Sequence, residues 1–161
     1  MKKLLITLAC LCCGFTVAQD TSTTVPAALS TPELTYLSSA RPSADARFYI
    51  YLSSASWCPP CRALMPKVVA EYPAIKAAGG EVILLCFDRT LEAGRKYLQN
   101  YKAGFPGIMC SFEDADKLPL PGFAVPRGIP NVIFVTRDGK VLSNGHGFTL
   151  LDWSKVTTQL P

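Results

Sequence analysis

The stretch Arg47-Phe48-Tyr49-Ile50-Tyr51-Leu52-Ser53-Ser54-Ala55-Ser56-Trp57-Cys58-Pro59-Pro60-Cys61-Arg62 decides the fold. Its first half is dense in aromatic and β-branched residues, so Arg47 to Ser53 reads as a buried central strand. Small residues, a Trp and two prolines follow, and Arg62 to Tyr72 then carries apolar residues at helical spacing. Pro59 and Pro60 suit the first turn of a helix, where the N–H groups have no internal partner. Pro66 lies inside that helix and is expected to kink it. The pattern is strand, tight turn, helix, with a pair of cysteines at the helix start.

Outward from this core, Val82 to Phe87 is almost wholly apolar, ends at Asp88 and reads as a second buried strand, parallel to the first because a helix joins them. Leu91 to Tyr101 forms another helix. Lys102 to Arg127 is irregular and rich in Pro and Gly, a length that in a compact domain is functional or hides short structure. Asn131 to Thr136 makes a third strand, Asp138-Gly139 a hairpin turn, and Lys140 to Ser143 a fourth strand. Thr149 to Leu160 closes as a helix with Leu150, Leu151, Trp153 and Val156 on its apolar face. The fold class is α/β, a central mixed sheet flanked by helices.

Upstream, Met1-Lys2-Lys3 is basic, Leu4 to Val17 is apolar, and Ala18 precedes the polar Gln19-Asp20-Thr21. This is the pattern of a secretory signal peptide over 1–18, shorter than the ~20 apolar residues of a spanning helix. Lipidation at Cys10, Cys12 or Cys13 stays open. Residues 19–45, rich in Thr, Ser, Ala and Pro, read as a flexible lead-in, leaving 46–161 as the domain. With 161 residues, 49% of them apolar, the chain has material for one domain core. Loss of Lys2 and Lys3 would take the net charge from +4 to +2, which gives no electrostatic basis for nucleic-acid binding.

Four of the seven cysteines follow the leader: Cys58, Cys61, Cys86 and Cys110. Cys58 at the helix N-terminus feels the positive end of the helix dipole, which lowers a thiol's pKa, so it is the candidate nucleophile. Cys61, one turn deeper, would resolve a mixed disulfide. The prolines between them remove backbone donors, stiffen the turn and tune the reduction potential. A zinc site would need two more ligands, yet the chain has one His, His146, and no second close cysteine pair. A purely structural bridge is the other alternative. Cys86 reads as a buried strand residue, and a Cys86–Cys110 disulfide stays open. His146 reads as a turn residue, with a catalytic base as the alternative, and Glu113, Asp114 and Asp116 as solvated surface, with metal binding as the alternative.

Ser56-Trp57-Cys58-Pro59-Pro60-Cys61-Arg62, Pro66, Gly128-Ile129-Pro130 before a strand, and Asp138-Gly139-Lys140 together resemble thioredoxin-like proteins over about Arg47 to Leu160. The two prolines between the cysteines are similar to the tryparedoxin and nucleoredoxin branch. The resemblance implies a thioredoxin-like fold and catalytic Cys58 and Cys61. It also implies a cis Pro130 facing the disulfide, Ile129 backbone groups offered to an extended substrate, and Trp57 as a platform. Pro59, Pro60, Arg62 and Pro66 support the motif, with Arg62 placed to steady a thiolate or to lie solvated on the helix. One departure is Leu52, which stands where thioredoxins bury an acid in the strand before the motif.

The implied function is an exported thiol–disulfide oxidoreductase, a reductant of protein disulfides in the periplasm or cell envelope. It would act as a monomer on protein thiols and disulfides, with a membrane or envelope electron donor, no nucleic acid, no metal and no cofactor beyond the disulfide. The rivals are a thiol peroxidase-like enzyme and a non-catalytic binding module with a structural disulfide.

Overall fold

Seven consecutive buried residues in β1 (Phe48–Ser54) mean a central strand covered on both faces. The computed structural model describes residues 23–146 and 152–160. β1 pairs in parallel with β2 (Gly80–Cys86), with Leu52 opposite Leu84, and antiparallel with β4 (Asn131–Thr136), with Leu52 opposite Val132. β3 (Gly107–Met109) and β5 (Val141–His146) form the edges, and the order is β3-β2-β1-β4-β5. The period of two sorts the side chains. Phe48, Ile50, Leu52, Val82 and Leu84 pack in one apolar cluster, and Tyr49, Tyr51, Ile83 and Leu85 in another.

The first cluster is covered by α2 (Pro59–Ala77) and α3 (Leu91–Asn100). α2 is longer than the Arg62 to Tyr72 that periodicity suggests. It runs through Pro66 and Pro73, each of which removes a helical donor, because Leu64, Met65, Val68 and Ile75 are buried along it. Thr90 caps α3, its hydroxyl accepting from Ala93 N–H at 3.2 Å. The last helix, α4 (Trp153–Thr157), buries Val156, and its Trp153 Nε1 donates to Glu71 at 3.0 Å.

β5 runs past the expected Ser143 to His146, α4 stops at Thr157 before the expected Leu160, and two longer stretches also differ from the sequence expectation. The irregular 102–127 segment contains β3 and a 3₁₀ turn, Ala115–Lys117. Three residues are too few for periodicity to reveal a strand. The lead-in, expected to be flexible, is instead packed from Val25 onward. It forms α1 (Val25–Leu29), whose Val25, Ala28 and Leu29 are buried, and Val25 N–H donates to the Arg137 carbonyl at 2.9 Å. Further on, Leu37 N–H donates to Gly107 O at 2.9 Å and Met109 N–H to Thr35 O at 2.8 Å, so this segment covers the β3 edge. Backbone pairing, which composition does not encode, holds it.

The signal-peptide reading of 1–18 with Cys10, Cys12 and Cys13, and the helical placement of Leu150 and Leu151, lie outside the described residues. Among the described residues no helix is long and apolar enough to cross a membrane.

Candidate active site

Cys58 is the N-cap of α2 and Pro59 its first helical residue. Four N–H groups at a helix start lack internal partners, but here prolines delete two of them. The next donor, Cys61 N–H, points at Cys58 Sγ at 3.3 Å, while Arg62 N–H starts the helical ladder on the Cys58 carbonyl at 3.1 Å. A thiolate on Cys58 is therefore met by one backbone donor and the helix dipole, a stabilisation weaker than an unobstructed N-terminus would give.

Cys58 and Cys61 are joined as a disulfide, and both are buried, at 3% and 1% exposure. Exposure does not tell the two sulfurs apart; the N-cap position does. Across from them the Ile129–Pro130 peptide bond is cis, and the Ile129 carbonyl oxygen lies 3.6 Å from Cys58 Sγ. In the dithiol form this carbonyl can accept from the Cys58 S–H, which favours the neutral thiol, whereas Cys61 N–H favours the thiolate. The two contacts oppose each other at one atom.

The loop before the disulfide is braced by a carboxylate that the sequence reading noted only as a strand end. Asp88 is buried just past β2 and accepts from Ser56 N–H at 3.1 and 3.2 Å and from the Ser56 hydroxyl at 2.6 Å. It also accepts from the Cys86 thiol at 3.2 Å. Beside it, Phe87 O accepts from Trp57 Nε1 at 3.1 Å and Phe87 N–H donates to Ser54 O at 2.9 Å. The end of β2 thus clamps Ser54 to Trp57. An acid directly after an apolar run was the only sequence signal for this.

Other residues singled out by sequence fall differently. Trp57 stands exposed beside the disulfide. Arg62 is exposed and donates from Nη1 to the Ser56 carbonyl at 2.8 Å, so its guanidinium braces the loop. Pro66 is exposed on α2. Leu52 packs with Leu64 and Met65 in the helix-side cluster, an aliphatic contact where related folds place an acid.

Cys86 and Cys110 are free and buried. Cys86 belongs to the helix-side cluster and Cys110, just past β3, to the opposite one, and no disulfide joins them. Burial drives both thiols upward, Cys110 to about 12, and they stay protonated and unreactive near neutrality. Among the described residues this leaves Cys58 and Cys61 as the candidate thiols for exchange.

Among the described residues no three His, Cys, Asp or Glu side chains gather as a metal site. The acidic run is exposed, with Asp114 paired to Lys117 at 2.7 Å, and His146 ends β5.

A family model described as Thioredoxin-like matches residues 46–141. The chain is 33% identical to the nucleoredoxin of Xenopus laevis over 93 residues, 56% of this chain and 22% of that protein. It is 28% identical to the thiol-disulfide oxidoreductase ResA of Bacillus thuringiensis over 92 residues, 57% of this chain and 50% of that one. It thus spans about a fifth of the first and half of the second. Among solved structures it resembles a thiol:disulfide interchange protein of Chlorobium tepidum, with TM-score 0.58, 20% identity and coverage of 73% and 81% of the two chains. That likeness is one of fold.

Proposed function

We propose, starting from the fact that this chain belongs to the thioredoxin-like family, that it is an exported thiol–disulfide oxidoreductase that reduces protein disulfides. The observation that carries this is the Cys58–Cys61 disulfide seated on the first turn of α2, with Cys61 N–H aimed at Cys58 Sγ and the Ile129 carbonyl beside that sulfur.

In the reducing direction the dithiol form starts with the Cys58 thiolate, which attacks one sulfur of a substrate disulfide. An S–S bond forms to Cys58, the substrate S–S bond breaks, and the departing substrate thiolate takes up a proton. Cys61, deprotonated, then attacks Cys58 Sγ, re-forming the Cys58–Cys61 disulfide and releasing the second substrate thiol. Two electrons pass to the substrate, and a dithiol donor at the membrane or envelope returns them. Trp57, Ile129 and Pro130 are the residues that would meet the substrate chain. Export rests on the basic and apolar pattern of residues 1–18. The protein is taken to act as a monomer.

The test is the reduction potential of Cys58–Cys61, by equilibration with glutathione and trapping of free thiols. A potential near that of thioredoxin, about −270 mV, is expected of a reductant, whereas about −120 mV would make the protein an oxidant. A pair that resists reduction until the protein unfolds would overturn the enzyme reading in favour of a binding module.

A further inference from the structure

Two large aromatic rings stand in solvent around the end of β2, one of them next in sequence to Cys58: Trp57 is 52% exposed and Phe112 49%. Both are fixed by Phe87. Its carbonyl accepts from Trp57 Nε1 at 3.1 Å, and its ring lies against Phe112 with centroids 4.4 Å apart and planes tilted by 32°. Together with Arg89 and Ala93 these residues line an open groove of about 610 Å³ that begins at the residue next to Cys58. Exposed rings held in place are unlike the scattered apolar side chains of an ordinary surface. Their ordering cost is already met before anything binds, and aromatic and Arg side chains dominate binding energy at interfaces.

Arg89 is the exposed charged residue of the groove lining, while the exposed Glu113, next to Phe112, lies in the adjoining cleft. Arg89 is exposed and makes no ion pair among the described residues, whereas the neighbouring Asp88 is buried with its oxygens taken by Ser56 and Cys86. Among the described residues, the groove therefore offers largely apolar walls and the unpaired cation of Arg89.

The geometry points to a substrate subsite here. The groove takes a bulky apolar side chain, best an aromatic one, that flanks the reactive cysteine of an extended polypeptide, with Phe112 as the selecting wall and Arg89 receiving an adjacent carboxylate. This rests on the oxidoreductase reading and deepens it by naming the substrate class. Phe112 and Arg89 are specificity-determining residues, and no bond changes at either.

Binding to the oxidised protein can be followed with labelled ten-residue peptides in which Ser replaces the cysteine, so that no exchange occurs. The probes carry Phe-Ser-Glu, Gly-Ser-Glu or Phe-Ser-Lys at the centre. The Phe-Ser-Glu peptide is expected to bind about 10-fold more tightly than the Gly peptide, and Phe112→Ala to remove that difference, a loss of about 1.4 kcal/mol. Arg89→Glu is expected to invert the preference between the Glu and Lys peptides. In exchange assays with the corresponding disulfide-linked peptides, Phe112→Ala should lower kcat/KM for the Phe peptide alone while the reduction potential stays fixed.

Equal binding of Phe and Gly peptides, or an equal effect of Phe112→Ala on both, overturns the subsite. So does a groove closed by a second copy of the chain, seen as self-association that Phe112→Ala abolishes. Because the Ser peptides cannot exchange, failure of the subsite is read separately from failure of the redox assignment, which the reduction potential decides.

Discussion

Two buried carboxylates stand at opposite ends of β2, and the donors they hold give them different work. Glu81, at the start of the strand and 2% exposed, accepts from Tyr72 OH at 2.7 Å, Ser43 N–H at 2.8 Å and Lys76 Nζ at 3.0 Å. It ties the lead-in and the end of α2 to the sheet. Asp88, past the far end and 5% exposed, holds Ser56 twice and the Cys86 thiol. The first fixes architecture; the second fixes the loop that carries the disulfide. Burial and satisfied hydrogen bonds alone do not identify a functional acid; the segment it restrains does.

The largest contrast between the ends comes from the reactive group itself. Cys58→Ser should lower exchange on the order of 10³-fold or more, with the Glu81 end unchanged; retained exchange would move the nucleophile elsewhere. Next, Glu81→Ala and Asp88→Ala should each cost about 2–3 kcal/mol of stability, since each orphans buried donors. Asp88→Ala alone should also shift the reduction potential and slow exchange per folded molecule. An equal shift from Glu81→Ala, read by the same glutathione equilibration, would break the comparison.

A smaller effect is expected at the helix start. Replacing Pro59 and Pro60 by Gly restores two N–H donors near Cys58 Sγ, stabilises the reduced thiolate and should raise the potential by about 30 mV, or ~1.4 kcal/mol. A fall would contradict the donor argument.

The smallest effect at neutral pH concerns both ends together. Burial raises Tyr49 at the Glu81 end and Tyr97 at the Asp88 end to about 12, as it does Cys110. The unfolded chain sheds these protons first, so their stabilisation is whole below about pH 9 and is lost as pH rises towards 12. Chemical denaturation across that window should show stability level below pH 8 and falling above 9.

The strand, turn and helix around Cys58 were legible because period and turn chemistry are local, and so was the Asp138-Gly139 hairpin. β4 falls on the Asn131 to Thr136 that the pattern outlined. The hidden parts depend on distant partners. Asp88 acquires its role from Ser56, 32 residues away; Phe112 gains its fixed position from Phe87; and the lead-in is ordered by Gly107 and Arg137. Likewise the separation of Cys86 from Cys110 shows only in the folded chain, where Cys86 packs in the helix-side cluster and Cys110, just past β3, in the opposite one.

The central claim is that Cys58 is the attacking thiol and Cys61 the resolving one, and the most direct measurement is brief alkylation of the reduced protein across pH, with mass-spectrometric mapping of the modified cysteine. The account predicts modification of Cys58 with a midpoint below the ordinary thiol value of about 8.5, while Cys61, Cys86 and Cys110 stay protected. First modification at Cys61, or no thiol titrating below about 8.5, would contradict it.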